Sequence, residues 1–560
     1  MKKHATLLGV VLLGFVSVLS YAQAPVPFVN QPLVPDAIAP GSAGFELTLN
    51  GTGFVTGSVV NWNGSARATT FVSSSRLTAA ILPSDIAKPG SGRVTVVNPG
   101  VGGISTAIPF EVTKPISVFT FNRTDYAVAD ACPSVVAADF NGDGNMDIAG
   151  VGSDKVSVYL GNDRGRFRYR GDYSTGTGDD SDALVVGDFN GDGKPDLAVR
   201  GVSVLLGNGD GSFQPPLVYP AGNRGVAVGD FNGDGKLDIA APDGNAGVVY
   251  ILLGNGDGTF QKPVSYATGS GPYDMAVGDF NGDGKLDLAI ALQGEEAVSI
   301  LLGNGDGSFQ SPVQSATAGT SEDVYAADLN GDGVLDLIVP SQSSPEVSVL
   351  LGNGDGTFRP HVDYSTGAEV SRGGVADVNG DGKLDVVLTT WFSDKNRFFV
   401  LLGNGDGTFQ KPRVYTTGTL PLGIAFGDFN NDGILDLVIA NQPLGEVSVM
   451  LGAEVELRPD TLDFGNISVG KNASLSTKLT NIRKESLEIT SITVQEGAFS
   501  QINNCGNSVG PGMSCTITVT FTPPTAGSFI APVVVRNKAT GSPQRVFLRG
   551  HGSATMAKRN

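Results

Sequence analysis

Hard oxygen donors recur along this chain at a fixed spacing. The pattern Asp-x-Asn-x-Asp-Gly-x-x-Asp occurs seven times. Its positions 1, 3, 5 and 9 are Asp139, Asn141, Asp143 and Asp147 in the first copy, then Asp188, Asn190, Asp192 and Asp196 in the second. Asp230, Asn232, Asp234 and Asp238 follow, then Asp279, Asn281, Asp283 and Asp287, then Asp328, Asn330, Asp332 and Asp336. The last two copies carry Asp377, Asn379, Asp381 and Asp385, and Asp428, Asn430, Asp432 and Asp436. Position 6 is always Gly, where a chain that wraps an ion must turn sharply. Position 7 would offer its backbone carbonyl, so its side chain is free to vary: Asn145, Lys194, Lys236, Lys285, Val334, Lys383 and Ile434. Carboxylate, amide and carbonyl oxygens, without thiolate or imidazole, suit Ca²⁺ over zinc, copper or iron. Mg²⁺ demands a tighter octahedron and keeps more water. The expectation is one calcium ion per copy.

Asp-Gly and Asn-Gly runs also make plain turns, but seven copies that keep all four side-chain donors favour the metal. An EF-hand would place Glu at position 12; here that position holds Gly150, Val199 and similar non-ligands, and the flanks read as strands. A second recurring motif, Gly-Asn-Gly-Asp-Gly-Thr-Phe as at 254–260, lacks the final carboxylate and reads as a hairpin turn.

The copies begin 49, 42, 49, 49, 49 and 51 residues apart, the mark of a repeat architecture. Around the fourth loop, Ala276-Val277-Gly278 leads in, Leu288-Ala289-Ile290 leads out, Ala297 to Leu302 follows, and Phe309 to Ala316 makes a fourth segment. Four short strands per repeat describe a propeller blade. Leu-Gly-Asn turns leading to a fourth strand begin at Leu160, Leu206, Leu253, Leu302, Leu351 and Leu402, but the seventh copy ends at Met450-Leu451-Gly452 without one. The stretch Ile116 to Val128 reads as the missing strand, which would pair onto the last blade and close the circle.

These loops resemble the FG-GAP/VCBS repeat family, which includes the integrin α-subunit propeller. The resemblance covers 116–452 and implies a seven-bladed β-propeller whose calcium loops join the first two strands of each blade. Residues 25–115, with Leu47 to Phe54 and Val94 to Gly100, resemble an IPT/TIG immunoglobulin-like β-sandwich, with Trp62 in or near its core. Residues 453–552, with Leu462 to Gly465, Leu479-Thr480-Asn481 and Phe521-Thr522-Pro523, resemble the ASH-type "choice-of-anchor" immunoglobulin-like domains of bacterial surface proteins. The expected fold class is all-β: a propeller flanked by two immunoglobulin-like sandwiches, with a frayed tail over 553–560.

Residues 1–24 read as a secretory signal peptide, cleaved after Ala22 or Ala24. No second long apolar run follows, so no transmembrane helix is expected, and the chain should be secreted or held at the cell surface. Cys505 and Cys515 flank a short loop and suit a disulfide in an oxidising compartment, which leaves Cys132 unpaired beside the first acidic loop. The net charge of −19 sits largely in the loops, where bound calcium would offset it; no basic stripe offers itself to nucleic acid.

Catalytic signals are weak. The three histidines, His4, His361 and His551, form no pair or triad by spacing. Gly506 to Gly510 matches a nucleophile elbow literally but lies between two cysteines in a β domain. Glu295, Glu296, Glu322, Asp323 and Glu369 stand outside the acidic loops, with nothing in the sequence to pair them. The expectation is a calcium-binding protein for adhesion or recognition of an extracellular protein or glycan, not an enzyme. The alternatives are a surface spacer without a ligand and, third, a polysaccharide-degrading enzyme. Regular loops read as scaffold, so a partner is expected on the opposite face, near Tyr273, Trp391 and Phe392. Oligomeric state is left open.

Overall fold

The computed structural model describes residues 26–553, apart from 31–32, 36, 101–102, 114–119, 129–131, 178–182, 391–395, 443–444, 454, 460, 484, 495–496 and 540–541. Residues 1–25, which include the segment expected to be a signal peptide, the tail beyond 553, and Trp391 and Phe392 therefore lie outside the described residues. Every described element is a strand.

The N-terminal sandwich packs two sheets. One orders Phe28–Val29, Phe45–Thr52, Arg76–Ile81 and Thr69–Ser73; the other orders Ala37–Ile38, Ile108–Val112, Gly90–Val97, Val59–Trp62 and Ser65–Ala66. Alternation along the strands sends Leu47, Leu49, Val94 and Val96 inward, against Trp62 and Phe110. Trp62 is buried, as its sequence context suggested.

Seven four-stranded antiparallel sheets follow. Six are built from consecutive strands, for example Pro272–Gly278, Asp287–Leu292, Ala297–Leu301 and Val313–Ala316. In the seventh, Pro421–Gly427, Asp436–Asn441 and Glu446–Ala453 come from the end of the repeats, and the outer strand is Thr120–Ala127 from before the first loop. First strands touch in succession around a closed circle. Ser134–Ala138 meets both Leu184–Gly187 and Pro421–Gly427, and the strands between them are linked in sequence order. Second strands such as Asp287–Leu292 are buried along their whole length because each lies between two neighbouring sheets, which is why they read as unbroken apolar runs.

The C-terminal sandwich pairs a sheet of Val455–Arg458, Ala473–Asn481, Ser514–Phe521 and Phe499–Asn503 with one of Thr461–Ser468, Gln544–Ser553, Gly527–Asn537, Leu487–Val494 and Ser508–Val509. Phe464, Phe499 and Phe521 meet in its core. Cys505 and Cys515 are joined by a disulfide, and Cys132 is a buried free thiol that burial pushes up to about 12.

Candidate metal centres

Each acidic loop joins the first strand of a sheet to its second and is held by its own carboxylates. Position 1 clasps the turn: in the fourth loop Asp279 Oδ1 accepts from the Asp283 N–H at 3.1 Å and Oδ2 from the Gly284 N–H at 2.9 Å. The same pair of bonds forms at Asp139, Asp188, Asp230, Asp328, Asp377 and Asp428. Position 3 adds an acceptor to the position 5 amide through Asn141, Asn190, Asn232, Asn281 and Asn330. Position 5 takes the position 7 N–H in all seven loops, from Asn145 on Asp143 at 2.8 Å to Ile434 on Asp432 at 2.9 Å. The position 6 glycines sit at φ between +76° and +91°, where an L side chain would be strained. The seventh loop places Asn431 at φ +55° where the others have a second glycine.

Position 9 behaves differently. Asp147, Asp196, Asp238, Asp287, Asp336, Asp385 and Asp436 are all 0% exposed. Each gives Oδ2 to the position 2 N–H and Oδ1 to a glycine N–H at the end of the third strand, as Asp287 does with Phe280 at 2.9 Å and Gly303 at 2.8 Å. One carboxylate thus ties three segments of its blade. Burial first, then the facing position 1 and 5 carboxylates, push Asp147, Asp196 and Asp287 up to about 7, Asp238 and Asp385 to about 8 and Asp336 to about 6. Asp436 is raised well above the usual carboxylate range for the same reasons.

Position 7 side chains are not donors to the loop centre: Lys194 Nζ lies 3.0 Å from Asp192 Oδ2, and Lys236 and Lys285 contact Asp234 and Asp283 at 3.3 Å. Only the carbonyls of these residues and of Asn145, Val334, Lys383 and Ile434 are suited to an ion. Among the described residues, no three acidic, His or Cys side chains are gathered closely enough to hold a metal ion as they stand. The carboxylate oxygens turn instead onto the loop's own amides, which relieves the repulsion of uncompensated like charges. The donor chemistry nonetheless fits a hard divalent cation, and in the seventh loop the buried Asn430 Oδ1 has no hydrogen-bond partner.

Five of the seven loops are also stapled to the next blade by a position 2 ring; the fifth and sixth carry Leu329 and Val378 there. The ring packs edge-on against the Phe of the following blade's glycine-rich turn: Phe140 on Phe213, Phe189 on Phe260, Phe231 on Phe309 and Phe280 on Phe358, at 5.7–5.8 Å. Phe429 on Phe167 closes the ring at 5.7 Å. The Gly-Asn-Gly-Asp-Gly segments are turns, as expected: Asp257 Oδ1 accepts from the Thr259 N–H at 3.0 Å, and the Gly258 N–H reaches back to the Phe189 carbonyl at 3.1 Å.

The N-terminal sandwich lies on this loop face. Val26 N–H donates to the Gly235 carbonyl at 2.8 Å, Ser74 Oγ to the Gly284 carbonyl at 2.8 Å, Ser75 Oγ to Asp279 Oδ2 at 3.2 Å, and Arg93 Nη1 sits 3.0 Å from Asp139 Oδ2. Phe28, Asn30 and Ile108 of that domain line one part of a cavity of about 720 Å³ that runs among the first strands.

The same cavity is lined by Asp274, Asp323 and Arg372 from three successive blades. Each stands five residues before the first Asp of its loop, a register that the sequence carries and that marks the three as equivalent positions. The fold gives Glu322 and Asp323 hydrogen-bond partners that the sequence did not indicate. Gln293 Nε2 donates to Glu322 Oε1 at 2.8 Å, Ser371 Oγ to Glu322 Oε2 at 3.3 Å, and the Tyr325 hydroxyl to Asp323. Loss of water pushes Asp323 up to about 6, opposed by the Arg372 guanidinium. The partners of Glu322 are 29 and 49 residues from it in sequence, and only adjacency of blades brings them together. Tyr273 is likewise not an open aromatic: it is 7% exposed, with Arg224 stacked over its ring at 4.8 Å.

The FG-GAP-like repeat model matches residues 119–199, 200–241, 230–290, 279–339, 341–388 and 377–439, more than half of the chain. The chain belongs to the FG-GAP-like repeat family. The IPT/TIG domain model matches 33–112, and the HYDIN/CFA65/VesB-like, Ig-like domain model matches 453–551. No curated protein matches the chain. Among solved structures, an Agrocybe aegerita lectin described as recognising non-reducing terminal N-acetylglucosamine is 23% identical, with a TM-score of 0.39 over 62% of this chain and 93% of the lectin. An auxiliary nutrient binding protein from Bacteroides ovatus is 13% identical, with a TM-score of 0.33 over 77% and 98%. The ASH/PapD-like domain of human CEP192 is 16% identical, with a TM-score of 0.15 over 18% and 87%.

Proposed function

We propose that this FG-GAP protein is an exported, calcium-binding recognition protein that engages an extracellular protein or glycan through the end of the ring opposite the acidic loops. The observation that carries the calcium reading is the fully buried position 9 carboxylate, repeated seven times beside two further carboxylates, an Asn amide and a free carbonyl. Asp at 1, 5 and 9, Asn at 3 and the position 7 carbonyl would hold the ion, whose contribution is charge compensation and fixing of the loop. With the loops rigid and the N-terminal sandwich seated on them, the opposite rim is where side chains are free to vary. Asp274, Asp323 and the largely buried Arg372 bring both signs of charge to a cavity of about 720 Å³ of mixed apolar and polar lining, within the size range of ligand pockets. Their role is to bind and orient a polar partner; the reading is of a binding protein and not an enzyme.

A screen of immobilised glycans and extracellular matrix proteins tests the recognition reading. The expected result is binding by the wild type that weakens about tenfold in Asp274→Asn, the effect of removing one charged hydrogen bond to the partner. Binding that survives this change and is abolished instead by altering the loop face would overturn it.

A further inference from the structure

We propose that Arg93 of the N-terminal sandwich weakens calcium binding at the first acidic loop by competing with the ion for Asp139. The inference rests on the calcium reading of the loops. Asp139 Oδ2 accepts from the Gly144 N–H at 3.0 Å and also faces Arg93 Nη1 at 3.0 Å. A divalent ion ligated by this carboxylate would lie within a few ångströms of a fixed positive charge, and the two repel.

The Arg93 side chain is 46% exposed, but its backbone is held in place beside the loop. It projects from the strand Gly90–Val97, and its backbone is pinned on both sides by the Asn63 turn: the Arg93 N–H donates to Asn63 Oδ1 at 2.8 Å, and the Asn63 N–H donates to the Arg93 carbonyl at 2.8 Å. The guanidinium is therefore delivered by a framed strand whenever the sandwich is docked.

The fourth loop is an internal control for position 1 alone, since Lys285 Nζ stands 3.3 Å from its position 5 carboxylate, Asp283 Oδ2. The equivalent carboxylate oxygen, Asp279 Oδ2, is contacted by the same domain through a neutral hydroxyl, Ser75 Oγ, at 3.2 Å. A hydroxyl can donate to one lone pair of the carboxylate while an ion takes another, without charge repulsion. The two contacts use the same oxygen of the same motif position and differ in charge.

Linkage makes the effect reciprocal. If Arg93 weakens calcium at the first loop by some factor, calcium there weakens the Arg93 contact by the same factor. Filling the first loop then loosens the N-terminal sandwich at its Arg93 corner, while Val26 on Gly235 and Ser74 on Gly284 keep their bonds to backbone carbonyls.

The test is a calorimetric calcium titration of the full mature chain and of Arg93→Gln, Arg93→Lys and Ser75→Ala, each checked for folding by circular dichroism. Arg93→Gln should tighten one site about tenfold relative to the wild type, the size of effect of removing one charge in partly screened surroundings. Arg93→Lys and Ser75→Ala should leave that site as weak as in the wild type. A titration unchanged by Arg93→Gln would overturn the inference and leave the calcium reading standing. No calcium binding in any variant would overturn both.

Discussion

At the scale of single residues, the acidic loop holds two kinds of carboxylate. Asp279 and Asp283 bond to amides of their own nine-residue loop, whereas Asp287 reaches the Gly303 N–H at the end of another strand and is fully buried. Position 9 is therefore structural with or without an ion. Asp287→Ala should destabilise the metal-free protein by about 2–6 kcal/mol, since it leaves two buried N–H groups unsatisfied at roughly 1–3 kcal/mol each. Asn281→Ala should change the metal-free protein by about 1 kcal/mol or less and weaken calcium binding instead. Denaturant unfolding with and without calcium separates the two; equal destabilisation in the absence of metal would contradict the division. The sequence disclosed that these residues share one loop, because their spacing is local. It did not disclose that Asp287 also serves a strand 16 residues on, because that bond depends on how the third strand ends.

At the scale of elements, blades are joined by repeating staples and one exchanged strand. The ring is closed by Thr120–Ala127 on Glu446–Ala453 and by Phe429 on Phe167. The strand exchange could be inferred from counting turns: one copy lacked a fourth strand and an unassigned β segment stood before the first loop. The ring contact was legible only as two recurring Phe positions, since nothing in one repeat tells which neighbour its ring will meet. Phe429→Ala removes a buried aromatic at the seam and should cost about 3–5 kcal/mol. Because it opens the place where the two ends of the repeat array meet, the damage should register as increased hydrogen exchange in both Thr120–Ala127 and Glu446–Ala453. Exchange confined to the Phe429 loop would show that the seam does not depend on this ring.

At the scale of the whole molecule, the repeats set where charge lies: seven sets of three Asp occupy one face, with the N-terminal sandwich set over them. The order of the three domain types was legible from composition and motif. Their docking was not, because Arg93 and Asp139 meet through surfaces that carry no periodic signal. The same holds for Glu322, whose partners Gln293 and Ser371 belong to neighbouring blades.

Thermal unfolding of the metal-free chain lacking residues 1–24 at pH 5 and pH 8, repeated in millimolar calcium, tests the central claim most directly. Six of the native position 9 carboxyls are raised to about 6–8, above the ordinary value of 3.8, and Asp436 is also raised well above it. Between these limits these groups hold more protons in the native state than in the unfolded chain, so their contribution to metal-free stability is full below about pH 4 and is lost as pH rises through the native values. The account predicts a lower melting temperature at pH 8 than at pH 5 without metal, and a calcium-induced rise that is larger at pH 8, with about seven ions bound per chain. A melting temperature indifferent to calcium at pH 8, with no calcium retained, would mean that the acidic loops are turns and not metal sites.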